Sequence, residues 1–332
     1  MAVRDILVTG AAGFIGSHFV RTLVGGGYPG LAGARVTVLD KLTYAGNRDN
    51  LRPVEDAPSF RFVHGDIADA ALVDELVGSH DAIVHFAAES HVDRSILGAT
   101  DFVMTNVVGT QALLDAALRH ELGTFVQVST DEVYGSIPEG SWPETDPLRP
   151  NSPYAASKAS SDLIALAYHR THGLDVRVTR CSNNYGPYQF PEKVIPLFVT
   201  NLLDGGTVPL YGDGMNRRDW LHVDDHCRAI DLVLEGGRPG EVYNIGGGTE
   251  LTNKRLTELL LEACGADWSS VRYVTDRKGH DRRYSVDWTK IADELGYAPV
   301  HDFADGLAET VEWYREHRDW WEPLKRRGLV AS

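Results

Sequence analysis

Through the first two thirds of the chain, short runs of apolar and β-branched residues alternate with longer stretches whose apolar positions follow a helical period. The short runs are Arg4–Thr9, Arg35–Leu39, Phe60–His64, Ala82–Phe86, Phe125–Ser129 and Val176–Thr179. Most are apolar at successive positions, so both faces are expected to be buried, as in parallel strands covered by helices on either side. Such alternation predicts an α/β fold built on a doubly wound parallel sheet. After Cys181 the texture changes: Pro and Gly grow denser at Gly186-Pro187, Pro191, Gly205-Gly206 and Gly212-Asp213-Gly214. A late run, Glu241–Ile245, is expected to return to the sheet. The organisation expected is residues 1–183 as the sheet-bearing domain and residues 184–332 as a smaller mixed substrate domain, with an interleaved boundary. Two long helices are expected at Asp101–His120 and Tyr154–His172. Both carry apolar or small residues on more than one face, which suits a buried helix and a partner contact equally well. A further helix is expected from Phe303 to His317, through Leu307, Val311 and Trp313-Tyr314.

Composition narrows the class of partner. The 332 residues are 43% hydrophobic and 24% charged, ordinary for a globular chain, with a formal charge of -15. That charge argues against unaided binding to nucleic acid or an anionic membrane. It leaves room for an anionic small molecule, because a few Arg and Lys residues make a local positive pocket. No apolar run approaches the length that spans a bilayer, and Met1-Ala2-Val3-Arg4-Asp5 lacks the pattern of a signal peptide. Three cysteines, Cys181, Cys227 and Cys264, are too few and too scattered for a disulfide framework or a thiolate metal site. A reducing cytoplasmic setting is expected.

The first strand runs into Thr9-Gly10-Ala11-Ala12-Gly13-Phe14-Ile15-Gly16 and then an amphipathic helix through Phe19, Val20 and Leu23. Gly10, Gly13 and Gly16 at a strand-to-helix turn let the backbone approach a pyrophosphate, seated against the unpaired N–H groups of the helix. This is a Rossmann-type dinucleotide site. Asp40 ends the second strand, where a carboxylate accepts from adenosine ribose hydroxyls and repels a 2′-phosphate, favouring NAD over NADP. Asp66-Ile67 ends the third strand, where adenine is expected. Ala87-Ala88 ends the fourth, where small side chains leave room for a cofactor.

Ser152-Pro153 reads as a helix start, with Ser as N-cap and Pro in the first turn. Tyr154 and Lys158 then lie one turn apart on one face. Tyr-x-x-x-Lys beside a nicotinamide is a hydride-transfer device: a neighbouring ammonium and the cationic ring are expected to lower the phenol pKa and make Tyr154 a base. Lys158 is also expected to hold the nicotinamide ribose. Thr130 stands where a hydroxyl is needed for the substrate oxygen. Asp131 and Glu132 follow at the strand end where open α/β sheets place ligands. A plain dehydrogenase or epimerase has no use for that carboxylate pair. An enzyme that removes a proton and expels water between two hydride transfers needs an acid and a base there. The spacing leaves open which carboxylate is which.

The strings TGAAGFIGSH, DKLTYAGN, HFAAESHVDRSI, VSTDEVYG, NSPYAASKA, RCSNNYGPYQFPEKVIPLF, YGDG, RRDWLHVDDH and DRKGHDRRY span nearly the whole chain. By them the chain resembles the nucleotide-sugar 4,6-dehydratases of the extended short-chain dehydrogenase/reductase superfamily, and among these the ones acting on dTDP-glucose. The resemblance implies that Tyr154 takes the proton of the sugar 4-hydroxyl while carbon 4 is oxidised by NAD. It implies Glu132 as the base at carbon 5 and Asp131 as the acid to the departing 6-hydroxyl. The product is then a 4-keto-6-deoxy sugar, with NAD regenerated and retained.

Further NAD contacts implied by the resemblance fall on Phe14, Ile15, Lys41, Leu42 and Thr43, and on Thr105 and Asn184, beside Asp40, Asp66 and Ile67. Sugar contacts fall on Ser90, Thr130 and Asn183. Diphosphate and nucleoside contacts fall on Lys193, Val194, Pro209, Leu210 and Tyr211, and on Arg218, Asn253, Arg277 and His280. A homodimer is implied, with helices 101–120 and 154–172 forming its bundle. The chain departs from the family pattern at Lys278, where Pro is expected, at Arg217, where an apolar residue is commoner, and at Ser182, where Cys is frequent. All three bear on the nucleotide end and on thymine against uracil.

Two clusters, Arg217-Arg218 and Arg277-Lys278 with Arg282-Arg283, supply charge suited to a diphosphate, although a surface role fits any single member as well. His222 and His226 are spaced i, i+4, but without a His-Glu-x-x-His pattern or third ligand they read as structural, so no metal is expected. His85, His91 and Trp320-Trp321 read as packing residues.

Overall fold

A computed structural model describes residues 3–330. Its main sheet has seven strands: β1 (Asp5–Thr9), β2 (Arg35–Asp40), β3 (Phe60–His64), β4 (Ala82–His85), β5 (Thr124–Thr130), β6 (Val176–Cys181) and, after an excursion, β10 (Val242–Ile245). Their order is β10-β6-β5-β4-β1-β2-β3 and every pairing is parallel. The order reverses between β1 and β4, the crevice in which doubly wound sheets hold ligands. β5 and β6 are buried along their whole lengths, whereas the edge strand β3 is half exposed. Apolar cores cover both faces. One gathers Ile6, Val8, Phe19, Val36 and Val84. The other gathers Leu7, Ile83, Leu113, Phe125 and Val176.

The excursion and the later chain build two small sheets from β7 (Asn183–Tyr185), β8 (Val208–Tyr211), β9 (Arg217–His222), β11 (Thr249–Thr252) and β12 (Val271–Val274). One has the order β11-β9-β7 and the other pairs β12 with β8. A third core, including Tyr185, Phe198, Trp220, Leu256, Tyr314 and Trp321, lies beneath them. Trp321 is fully buried and its indole donates to the Tyr314 carbonyl.

Two helical features position the site. The helix Pro153–His172 starts where Ser152 accepts from Ala155 N at 3.1 Å, with Pro153 in its first turn, and ends at left-handed Gly173. The stretch expected as one helix near 101–120 is helical from Thr100 to Arg119, but Val103–Gly109 is π-helical. That wide turn carries buried Asn106, which accepts from Glu89 N at 2.8 Å and donates to Ser157 Oγ at 2.8 Å. The loop after β4 and the Tyr154 helix are thereby tied together, a use of π geometry common at functional sites.

Gly10 shows why the turn after β1 demands glycine. Its φ is +72°, and a Cβ there stands 2.4 Å from both Ala87 Cα and Ala87 N. Gly10→Ala is therefore expected to cost more than about 2 kcal/mol, through strain and overpacking together. Thermal unfolding measures the loss; an unchanged midpoint contradicts this close packing.

Candidate active site

A cleft of about 480 Å³ opens where the carboxyl ends of the main-sheet strands face the small sheets. Its floor is the glycine turn: Gly10, Gly13, Phe14, Ile15 and Gly16 all line it. Asp40 is buried and braces this turn, accepting from Ala12 N at 2.8 Å and Leu42 N at 2.8 Å. Burial raises the Asp40 pKa against these backbone bonds, which pull it down. Lys41, Thr43, Asp66 and Ile67 lie alongside, with Lys41 Nζ 2.6 Å from Asp66 Oδ2. Ala87, Ala88, Thr105 and Asn184 complete this end. Of the residues expected here, Leu42 alone does not line the cleft; it packs against the core beneath the turn.

At the centre, β5 ends in Thr130, whose hydroxyl accepts from Glu132 N and donates to Asp131 Oδ1, both at 3.3 Å. The chain then makes a 3₁₀ turn, Asp131–Tyr134. Asp131 is almost wholly buried, and its Oδ2 has no hydrogen-bond partner. Burial and then the neighbouring Glu132 push the Asp131 pKa well up. Burial also raises Glu132, although Arg277, Arg218 and Lys193 oppose the rise. Two adjacent carboxyls that resist joint ionisation form an acid and base pair.

Tyr154 and Lys158 face the same cleft, one turn apart. Among the protein's own groups, burial and then Glu132, Cys181 and Asp131 hold the Tyr154 pKa well above the ordinary value. The Lys158 ammonium donates instead to the Val128 carbonyl at 2.7 Å, and burial lowers its pKa. A cationic group bound beside the phenol opposes this rise.

At the far end, Ser90, Asn183, Lys193, Val194, Pro209 and Tyr211 line the cleft, with Arg218, Asn253, Arg277 and His280. Leu210 does not; it is 2% exposed, within the third core. Lys193 donates to the Ser90 carbonyl at 2.8 Å. Arg277 Nε and Asn183 Oδ1 are buried without a protein partner, as suits a site that completes their bonding with a polar ligand. Among the six cationic residues of the two clusters, Arg218 and Arg277 reach the cleft. Arg282 is committed to Asp213, while Arg217 and Arg283 are committed to Glu250. Those carboxylates lie more than thirty residues away in sequence, so the spacing gave no sign of them.

Several lining residues carried no sequence expectation of a site role. His91, read as packing, stands in the cleft wall with Nε2 3.5 Å from Glu192 Oε2, and burial lowers its pKa to about 4. Glu89, Gln189, Phe190 and Tyr284 also line the cleft. Tyr284 lies within the string DRKGHDRRY, but only the fold brings it to Glu132, 152 residues away. His85 is buried between Thr9 and Thr110, with its pKa lowered to about 3. His226 Nδ1 is 2.9 Å from Asn184 Oδ1, and His222 stacks on His301 with centroids 4.1 Å apart.

The residues brought together suit a dinucleotide, an anionic ligand and two proton transfers in one cleft, and comparison with known proteins gives the same picture. The family model described as GDP-mannose 4,6 dehydratase matches residues 7–310. A dTDP-glucose 4,6-dehydratase of Streptomyces niveus is 68% identical over 96% of this chain and 95% of its own length. The crystal structure of DesIV, a dTDP-glucose 4,6-dehydratase from Streptomyces venezuelae with NAD and TYD bound, superposes with a TM-score of 0.95. It is 69% identical and the match covers 96% of this chain and 99% of that one. The UDP-glucose 4-epimerase of Thermotoga maritima stands further off, at 34% identity and a TM-score of 0.86 over 94% of this chain and 99% of that one. With two thirds of its residues shared over nearly full length, and with the carboxylate pair and Tyr-x-x-x-Lys in one cleft, this chain belongs to the dTDP-glucose 4,6-dehydratase family.

Proposed function

We propose that this protein converts dTDP-glucose to dTDP-4-keto-6-deoxyglucose and water. The observation that carries this is the Asp131-Glu132 pair, which lines the cleft with Tyr154 at the carboxyl end of β5, Asp131 buried and Glu132 partly so. NAD, when bound, takes up hydride from carbon 4 and returns it to carbon 6. Gly10, Gly13, Gly16 and Asp40 hold its diphosphate and ribose, and Lys158, braced by the Val128 carbonyl, holds the nicotinamide end.

With the Lys158 ammonium and the positive charge of bound NAD favouring its phenolate, Tyr154 would receive the 4-hydroxyl proton, aided by Thr130 at the substrate oxygen. Once carbon 4 is a ketone, carbon 5 is acidic. Glu132 removes that proton, and Asp131, whose carboxyl burial and Glu132 hold toward its protonated form, protonates the departing 6-hydroxyl as water. Ser90 and Asn183 face the sugar, and Arg218, Arg277 and Lys193 counter the diphosphate charge. Holding sugar and cofactor in one cleft supplies the orientation both hydride steps require.

A second copy is proposed to dock on the helices 101–120 and 154–172, where Val103, Met104, Val108 and Leu163 expose apolar side chains. The cytoplasm is the proposed setting, in keeping with three free cysteines.

Purified protein given dTDP-glucose and no added NAD is expected to form the keto-deoxy product, read as alkali-induced ultraviolet absorbance. A 4-epimer product, or no turnover with NAD supplied, would sink the proposal. The ratio of turnover with dTDP-glucose to that with UDP-glucose measures the base preference.

A further inference from the structure

Tyr284 and Asp281 are buried against Glu132, with exposures of 3% and 5%. The Tyr284 hydroxyl oxygen is 2.6 Å from Asp281 Oδ2 and 3.5 Å from Glu132 Oε2. A phenol has a single proton to donate, and its oxygen also carries lone pairs. The short, charge-assisted bond to Asp281 takes that proton, while 3.5 Å is too long for a strong bond. The face of the oxygen toward Glu132 therefore presents electron pairs.

Both partners are held in this orientation. Asp281 Oδ1 accepts from Asn151 Nδ2 at 2.6 Å, and the Asp281 carbonyl accepts from Arg218 Nη2 at 3.0 Å. The Arg218 guanidinium also lies over the Tyr284 ring, 4.2 Å from its centroid.

We propose, building on the dehydration proposed above, that Asp281 is a positioning residue for the elimination: by engaging the Tyr284 proton it aims a phenolic lone pair at Glu132. That lone pair disfavours Glu132 as a carboxylate and accepts a hydrogen bond from it as a carboxylic acid. A base gains from both effects. In the step itself, the carbon 5–hydrogen electron pair becomes the bond between carbons 5 and 6, and the bond from carbon 6 to oxygen breaks. The oxygen leaves as water with the proton of Asp131. Glu132 keeps the carbon 5 proton, directed toward Tyr284, until it is restored at carbon 5. Asp281 also opposes the ionisation of Glu132 through its charge, while Glu132 in turn raises Asp131 and Tyr154 beside it. Arg277, Arg218 and Lys193 favour it, and burial outweighs them, so the net direction is upward.

The test uses full-length, NAD-loaded protein with dTDP-glucose and the variants Asp281→Asn, Tyr284→Phe and both together. In Asp281→Asn the Tyr284 proton is free to turn to Glu132 and stabilise its carboxylate. The base must be ionised to act, so a lower pKa moves the acid limb of kcat to lower pH, by about one unit. The weaker base is expected to slow product formation by about 3- to 10-fold, since general-base efficiency follows Brønsted behaviour and one unit of basicity is worth at most about tenfold. KM is expected to stay within about threefold, and reduced cofactor to accumulate at 340 nm. Tyr284→Phe keeps the Asp281 charge but removes the lone pair, and is expected to behave alike. The double variant is expected to be no slower than Tyr284→Phe, because Asp281 acts through Tyr284.

An unmoved acid limb in Asp281→Asn overturns the proposal. So does an Asp281→Asn effect that persists in full on the Tyr284→Phe background, which is the mark of charge alone. Should Asp281→Asn fail to fold, an unmoved acid limb in Tyr284→Phe overturns it equally. A wild-type protein that forms no keto-deoxy product counts instead against the dehydration itself.

Discussion

Protein carrying Asp131→Asn together with Glu132→Gln is expected to bind dTDP-glucose and reduce its cofactor, yet to release almost no keto-deoxy product. The amides keep the shape of the side chains while removing their capacity to give or take a proton. Thr130 Oγ1 now donates to Asp131 Oδ1 at 3.3 Å, and an amide oxygen preserves that bond. Tyr154 and Lys158 are untouched, so oxidation at carbon 4 proceeds. A single general acid or base contributes about 10²–10⁴-fold. With both removed, product formation is expected to fall by at least about 10³-fold, although groups acting as a unit do not contribute additively. Mixing substrate with the variant and following absorbance at 340 nm separates the steps: cofactor reduction without product is the expected result. Full turnover in this variant removes the carboxylates from the elimination.

Arg180→Gln is expected to lower stability by about 3–5 kcal/mol, the usual cost of leaving a buried charge without its partner. Arg180 on β6 is 3% exposed, and its Nε donates to fully buried Asp162 at 2.9 Å. Its Nη1 reaches the Tyr134 hydroxyl at 2.8 Å, which in turn donates to Asn244 at 2.9 Å on β10. The pair thereby ties β6 to the Tyr154 helix, the carboxylate turn and the outer strand. Replacing both charges by apolar residues, as in Asp162→Leu with Arg180→Met, is expected to recover part of the loss, because the ion pair leaves together and only the attraction of Asp162 for buried Lys158 is forfeited. Denaturant midpoints of the single and double variants provide the check. Equal losses in the two make packing, rather than the unpaired charge, the cause.

Main-sheet strands were legible to within a residue or two because most are buried on both faces, which writes a continuous apolar run into the chain; the half-exposed edge strand β3 was marked by its β-prone Phe60, Phe62 and Val63 instead. The small sheets were not. β9 reads Arg217-Arg218-Asp219-Trp220-Leu221-His222, with no alternation to mark a strand, yet five of its six residues are buried. Its form is set by partners on β7 and β11, and no local pattern records them. The π-helical turn at Val103–Gly109 was equally hidden, since a seven-residue departure leaves the helical spacing around it intact. In the cleft, the glycine turn, the carboxylate pair and Tyr-x-x-x-Lys were readable as motifs because each is local. The state of Tyr154 was not readable, because its pKa answers to burial and to carboxylates on another element. Tyr284 facing Glu132 was invisible for a similar reason, being a meeting of distant segments.

Strand β10 completes the main sheet beside β6, yet it is assembled from residues 242–245 of a 332-residue chain. A ribosome therefore delivers β6 some sixty residues before the strand that covers its outer edge. At about 5–20 residues per second the delay lasts on the order of 3–12 s. Throughout it the nascent sheet offers the unpaired flank of β6, a template for pairing with other chains. Aggregation and chaperone capture during synthesis are expected to concentrate in that interval, and nascent chains stalled once β6 has cleared the ribosome but before β10 emerges to be held more strongly than those stalled well past 245.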